Sequence, residues 1–230
     1  MTARRLFSLH RGLTSALVAA ALAMPAVLPS AVTAATVPFD DASWKVQRFS
    51  LFSGNDYDFR GDALSVVSDG TVSIAYRPLA PANWQARGAS WSWSVETSVP
   101  PTDLTRKGGD DRNLAVYFVF LPEAEARALQ GASITRLLNE EAIRALVYVW
   151  GGDQARGAVL PSPYLGARGK TVVLRGAGTG GHRERVDLAA DYARAFGGGA
   201  PGALVGIAVS GDSDDTDSRI DATISGLQVD

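Results

Sequence analysis

From about residue 60 onward the chain is built of short stretches in which apolar and polar positions alternate, the period of a strand with one buried face. Residues 90–95 (SWSWSV) are the cleanest case: Trp91, Trp93 and Val95 face one way and the serines face the other. A Trp pair on the apolar side of such a strand reads as core before it reads as a platform for sugar rings. Residues 63–67 and 71–76 flank Ser68-Asp69-Gly70, and Asp-Gly between two β-rich runs predicts a hairpin, because these residues tolerate positive φ.

Residues 114–121 (LAVYFVFL), 145–150 (ALVYVW) and 204–209 (LVGIAV) are unbroken apolar runs of strand length, suited to strands covered on both faces. Residues 171–174 and 220–229 supply further strands. Residues 36–60 are less regular, with Trp44, Phe49 and Phe52 suggesting a first strand packed on the core. Two segments have helical character. Residues 122–130 (PEAEARALQ) start with Pro and early Glu and are followed by Gly131. Residues 187–196 (DLAADYARAF) have Asp187 at a cap position and glycines beyond. Turn residues at short spacing favour an all-β, two-sheet β-sandwich of jelly-roll type with short peripheral helices over a βαβ sheet.

The first 35 residues have a different composition. Arg4, Arg5 and Arg11 precede an apolar run over residues 13–28, and small residues around Ala34 and Ala35 offer a cleavage site. This is the three-part pattern of a secretory signal peptide, leaving residues 36–230 as a single β-sandwich domain. Its removal would take three of the 22 Lys and Arg and none of the 24 acids, so the remainder carries a formal charge of −5. It would also take both Met residues and His10, leaving His182 as the one imidazole beside no Cys. Disulfides, thiolate metal sites and Cys nucleophiles are thereby excluded. A zinc site would have to be completed by carboxylates around one His. An acidic domain without basic runs is a poor nucleic-acid partner. No later segment reaches the roughly 20 apolar residues of a membrane span, which points to an anchor-free protein in the periplasm or outside the cell.

Two acidic stretches stand out. Asp212, Asp214 and Asp217 fall in Gly211–Ser218 (GDSDDTDS) with the spacing Asp-x-Asp-x-x-Asp, which resembles the start of a calcium loop but lacks its glycine turn and closing Glu. The plain alternative is a solvated acidic turn. Lys107-Gly108-Gly109-Asp110-Asp111 precedes the LAVYFVFL run, where paired Asp could orient water, a cation or sugar hydroxyls, or simply cap a turn that Lys107 neutralises. If the strands next to these loops are antiparallel neighbours, Asp110, Asp111, Asp212 and Asp214 converge at one end of a sheet. Trp84 and Trp150, near loops, are the candidates for an exposed aromatic platform. His182 lies among glycines and Arg183 without a Gly-x-Ser-x-Gly nucleophile elbow, so a Ser-His-Asp site has no support. A two-carboxylate glycosidase pair could draw on Asp110, Asp111 or Glu96, but no spacing selects one.

Together these motifs resemble the bacterial secreted family called domain of unknown function 3047. Residues 90–95 resemble its Trp-x-Trp-x-Val strand, and Lys107–Asp111 with residues 116–120 resemble its Lys-x-Gly-Asp-Asp…Val-Tyr-Val-x-Phe segment. Residues 147–151 resemble its Asn-Tyr-Val-Trp-Gly, with Val147 in place of Asn. Residues 187–196, 205–209 and 212–216 resemble its closing helix, strand and Thr-Asp-rich loop. The likeness spans about residues 44–229 and implies an exported β-sandwich, with no established activity or catalytic residue to carry over. Ser210-Gly211 replaces its Met-Thr, Asp215 stands at its Asn, and residues 122–142 form a longer connection. The expected function is a non-catalytic domain binding a glycan or another envelope component, with a candidate structural calcium ion. The alternatives are a carboxylate-dependent enzyme acting on polysaccharide and a structural or protein-interaction domain.

Overall fold

The computed structural model describes residues 1–2 and 34–230, so the segment read as a signal peptide falls almost wholly outside the described residues. In chain order the strands are β1 (Ala35–Thr36), β2 (Lys45–Arg48), β3 (Asp56–Phe59), β4 (Ala63–Asp69), β5 (Ser73–Pro78) and β6 (Gly88–Thr97). They continue as β7 (Arg112–Leu121), β8 (Arg144–Gly151), β9 (Val159–Ser162), β10 (Gly166–Arg175) and β11 (Gly180–Asp187), then β12 (Ala203–Asp212) and β13 (Arg219–Val229). Helices α1 (Glu123–Ala128), α2 (Ile134–Leu138) and α3 (Leu188–Phe196) are short and lie in the connections.

The strands form a two-sheet β-sandwich of jelly-roll type. One sheet has the order β11-β6-β13-β4-β3, with β1 on the end of β13, and the other β2-β5-β12-β7-β8-β10-β9. All pairs are antiparallel except β8 with β10. The alternation in residues 90–95 has the expected consequence: Trp91, Trp93 and Val95 are buried between the sheets. Trp91 meets Phe118 and Tyr148 of the facing sheet at centroid distances of 6.0 and 5.8 Å, and Trp93 meets Trp150 edge-on at 5.6 Å. Such offset and edge contacts are the favoured aromatic geometries, so the ring stack locks the two sheets in one register.

The continuous apolar runs also find cover on both faces. Leu114, Val116, Phe118 and Phe120 of β7 face the sandwich interior. Ala115 joins Leu104, Val147, Val149 and Val173 under the loops of the outer face, and Leu121 joins Trp84, Ala126 and Ile143 beneath α1. Asp187 caps α3 by accepting the Ala190 N–H at 2.9 Å, and Gly197 ends it at φ +80°.

Three expectations change. The Asp69-Gly70 turn does not close a hairpin: β4 pairs with β3 and β13 in one sheet, β5 with β2 and β12 in the other. The chain crosses between sheets because the polar corner residues find partners there. Thr71 Oγ1 donates to Asn55 Oδ1 at 2.9 Å, and Ser68 and Ser213 share a hydroxyl contact at 2.8 Å. Trp44 is core, whereas Phe49 and Phe52 are 62% and 96% exposed and do not pack on it. Residues 180–187, where His182 lies among glycines and for which no strand is predicted, form β11, whose backbone pairs with β6 along its whole length.

Candidate acidic site at the sheet rim

β7 and β12 are antiparallel neighbours, and Arg112 is the Cα partner of Asp212. The loop that enters β7 and the loop that leaves β12 therefore meet at one end of the seven-stranded sheet. Asp110, Asp111 and Asp212 converge there and are 3%, 0% and 5% exposed; Asp214 joins them from the exposed side. One carboxylate oxygen from each of Asp111, Asp212 and Asp214 lies within 4.8 Å of the others. Two unit charges about 4 Å apart repel by about 4 kcal/mol at the effective dielectric of a protein surface, so this cluster exists only where something offsets the repulsion.

Part of the offset is Arg112. Its Nη1 donates to Asp110 Oδ2 at 2.9 Å and lies 3.0 Å from Asp212 Oδ2, while Nη2 donates to the Tyr117 hydroxyl at 3.0 Å. Burial works against the guanidinium charge, but the Tyr117 oxygen and the carboxylates of Asp212 and Asp110 outweigh it and hold Arg112 above its ordinary pKa. Tyr117 in turn contacts the Ser210 hydroxyl at 3.2 Å.

Asp111 has a different set of partners. Its Oδ1 accepts the Asp215 N–H at 3.2 Å, and its Oδ2 accepts the Thr216 N–H at 2.8 Å together with the Thr216 hydroxyl. It thus ties the 213–218 loop to the start of β7. In return Asp215 Oδ2 accepts the Asp110 N–H at 3.3 Å. Burial, then the charges of Asp111 and Asp214, push the Asp215 carboxyl up from its ordinary value. Gly108 permits this approach of the loops: it sits at φ +73°, where a side chain would strain the backbone.

Asp212 is the exception in the cluster. Its Oδ2 is paired with Arg112, but its buried Oδ1 has no hydrogen-bond partner. Burial raises its pKa, Arg112 lowers it, and the adjoining carboxyl groups of Asp214 and Asp110 raise it again, with a net rise to about 8. Behind the loop, Asn55 Nδ2 donates to the Gly211 carbonyl at 2.8 Å and Asn55 accepts from Thr71, which fixes the backbone that presents Asp212.

The remaining sequence candidates are placed as follows. Asp217 is exposed at φ +50° and stands outside the carboxylate trio. Lys107 is exposed and has its Nζ 5.4 Å from the centroid of the Tyr164 ring; Arg112, not Lys107, pairs with the acids. Trp84 and Trp150 are buried and present no face to solvent, which corrects the expectation of an aromatic platform at either. Trp84 is taken up by the cluster beneath α1, and Trp150 is part of the core between the sheets, against Trp93 and His182. His182 is exposed on β11, its ring 4.9 Å from that of Trp150.

Sequence reasoning missed Arg112, Tyr117, Asn55, Thr216 and Tyr164. Arg112 had a signal, as a lone cation between an acidic pair and an apolar run, a position that needs a buried partner. Tyr164, in the turn between β9 and β10, had none. It is 55% exposed and donates its hydroxyl to Asp110 Oδ1 at 3.1 Å. Burial, then the Asp110 charge, push its pKa up to about 12.

The chain is similar to three solved structures at low identity. A loop-swap mutant of Xyn11A from Necallimastix patriciarum is 13% identical, covers 88% of this chain and 97% of its own, and has a TM-score of 0.43. The family 11 xylanase from Neocallimastix patriciarum is 13% identical over 86% and 99% of the two chains, with a TM-score of 0.42. The xyloglucanase domain of NopAA, a type three effector from Sinorhizobium fredii, in complex with cellobiose, is 9% identical over 86% and 98%, with a TM-score of 0.45. At these scores the likenesses assign neither activity nor ligand. No curated protein matches the chain. The model of the family described as protein of unknown function DUF3047 matches residues 42–228, and the chain belongs to that family.

Proposed function

We propose that this protein is an exported, non-catalytic ligand-binding domain whose ligand is a glycan or a similarly hydroxyl-rich envelope component, bound beside the acidic rim. The observation that carries this reading is Tyr164. It is a half-exposed aromatic ring held in place by a hydrogen bond to buried Asp110 and flanked by Lys107. A fixed ring offers its face to the apolar side of a sugar, and the neighbouring ammonium can bond to hydroxyl groups. The hydrolase alternative has less behind it. Asp110 and Asp212 both pair with the same Arg112 nitrogen, which takes up the carboxylate oxygens that an acid and a nucleophile or base would need.

A glycan array probed with the protein after signal removal, followed by calorimetry on any hit, tests this reading. Binding that Tyr164→Ala removes, with the melting temperature kept, supports it. An empty array, or affinity unchanged in Tyr164→Ala, overturns it.

One observation favours a second reading, that of a protein-interaction domain. Phe49, Leu51 and Phe52 put three large apolar side chains into solvent on one short segment, with Leu51 90% exposed. Self-association or partner capture that is lost in Leu51→Ser/Phe52→Ser, with glycan binding absent, would favour it over the first.

A further inference from the structure

We propose that Asp111, Asp212 and Asp214 bind one hard divalent cation of the calcium class at the rim of the seven-stranded sheet. The proposal stands independently of whether a glycan binds at Tyr164.

Charge is the first argument. Three carboxylates, Asp110, Asp111 and Asp212, are buried here beside one guanidinium, that of Arg112, which pairs with Asp110 and Asp212 and not with Asp111, and Asp214 adds a fourth acid at the surface. Lys107, the next cation along the β7 loop, is turned to the Tyr164 ring and does not pair with them. With all four acids ionised, the negative charge gathered here exceeds the one guanidinium that pairs with it. A buried charge persists when paired or when coordinating a metal.

The second argument is independent of the clustering. The two oxygens of Asp212 differ in their surroundings: Oδ2 is paired with Arg112, and Oδ1 is buried without a hydrogen-bond donor. The neighbouring Asp214 carboxyl can serve Asp212 only if one of the two carries a proton. Both acids can instead remain ionised if a cation lies between them. A buried oxygen acceptor with no donor, in a residue whose carboxyl belongs to a trio spanning 4.8 Å, is one that a cation can satisfy.

The donor chemistry selects the ion. All three side chains supply oxygen, which suits calcium or magnesium and not a nitrogen- or sulfur-seeking metal. The trio combines one fully buried acid fixed by loop hydrogen bonds with one exposed acid on an irregular loop. Such a set completes its shell with water and adjusts in bond length, as calcium allows and the stricter octahedron of magnesium does not. Asp111 is already committed to the 213–218 loop, so an ion here would cross-link the start of β7 to the end of β12.

The test is thermal unfolding and calorimetry of the protein in chelator and in calcium. Calcium at about 100 times its dissociation constant should raise the melting temperature by roughly 5–10 °C, with one ion per chain. Asp214→Asn, at an exposed position, should keep the chelator-state melting temperature and lose the calcium response. Asp217→Asn, outside the trio, should keep the response. Equal melting in chelator and calcium with no heat of binding overturns the proposal, as does a response that survives Asp214→Asn or disappears in Asp217→Asn. Tyr164→Ala should leave the response intact, which separates this result from the outcome of the glycan experiment.

Discussion

Asp212 Oδ2 lies 3.0 Å from Arg112 Nη1, between residues that are Cα partners on neighbouring strands β12 and β7. The ion pair is a consequence of register: slipping either strand by one residue would turn one of the two side chains to the opposite face. The same nitrogen holds Asp110, so one guanidinium links the entering loop to the leaving strand. Most of what can be tested at this end of the molecule follows from that link.

Arg112→Met should be strongly destabilising. It keeps the aliphatic stem but strands two buried carboxylates, and removing one partner from a buried pair costs about 3–5 kcal/mol. Urea denaturation should show the loss as a lower midpoint with an unchanged slope. A change under 1 kcal/mol would mean that the acids find another counter-ion. Arg112→Lys should retain part of the stability, because an ammonium replaces the charge but not the fork that reaches both Asp110 and Tyr117.

The two faces of the aromatic inventory predict opposite results. Trp150→Ala removes a ring buried between the sheets and should cost about 3–5 kcal/mol. Phe52→Ser, at a position 96% exposed, should stay within about 0.5 kcal/mol of the parent. Paired thermal melts measure both. Iodide should barely quench the native tryptophan fluorescence, since all five tryptophans are buried.

Alkaline titration followed by tyrosinate absorbance should separate the native protein from the urea-unfolded chain. Burial pushes the Tyr57 hydroxyl up to about 12, with hydrogen bonds to Ser73 and Asn55 offsetting part of the rise, and Tyr164 also reaches about 12. The unfolded tyrosines lose their protons near pH 10. The stabilisation from keeping these groups neutral is therefore complete below about pH 10 and is lost as pH rises towards 12. Tyr57→Phe should remove one late-titrating group. A native curve that coincides with the unfolded one would contradict this assignment.

Asp187→Ala should cost about 1 kcal/mol through the lost cap on α3. Asp187→Asn should restore most of it, because the amide oxygen can accept the same Ala190 N–H. Melting curves of the two variants side by side check the difference.

The strands were legible where the residues themselves impose a two-sided environment. Residues 90–95 alternate because one face of β6 meets aromatic rings and the other does not, and the continuous run 114–121 is apolar because β7 is covered on both sides. The cap at Asp187 and the stop at Gly197 were legible for the same local reason. The 69–70 turn was misread, since Asp-Gly reports only that the backbone can turn. Whether the next strand pairs with the previous one or crosses to the other sheet depends on partners outside the turn, among them Asn55, 16 residues from Thr71, and Ser213, 145 residues from Ser68.

By itself the sequence determined an all-β sandwich, its principal strands, the absence of thiol chemistry and the presence of two acidic loops, because these follow from composition and short-range periodicity. Only the tertiary structure decided that β7 and β12 are neighbours, and hence that Asp110, Asp111, Asp212 and Asp214 share one rim. It also decided that Trp84 and Trp150 lie under cover while Tyr164 stands at the surface. The physical reason is common to all three: strand order and loop burial are set by contacts distant along the chain, and a residue type states what it can do but not which surface will reach it.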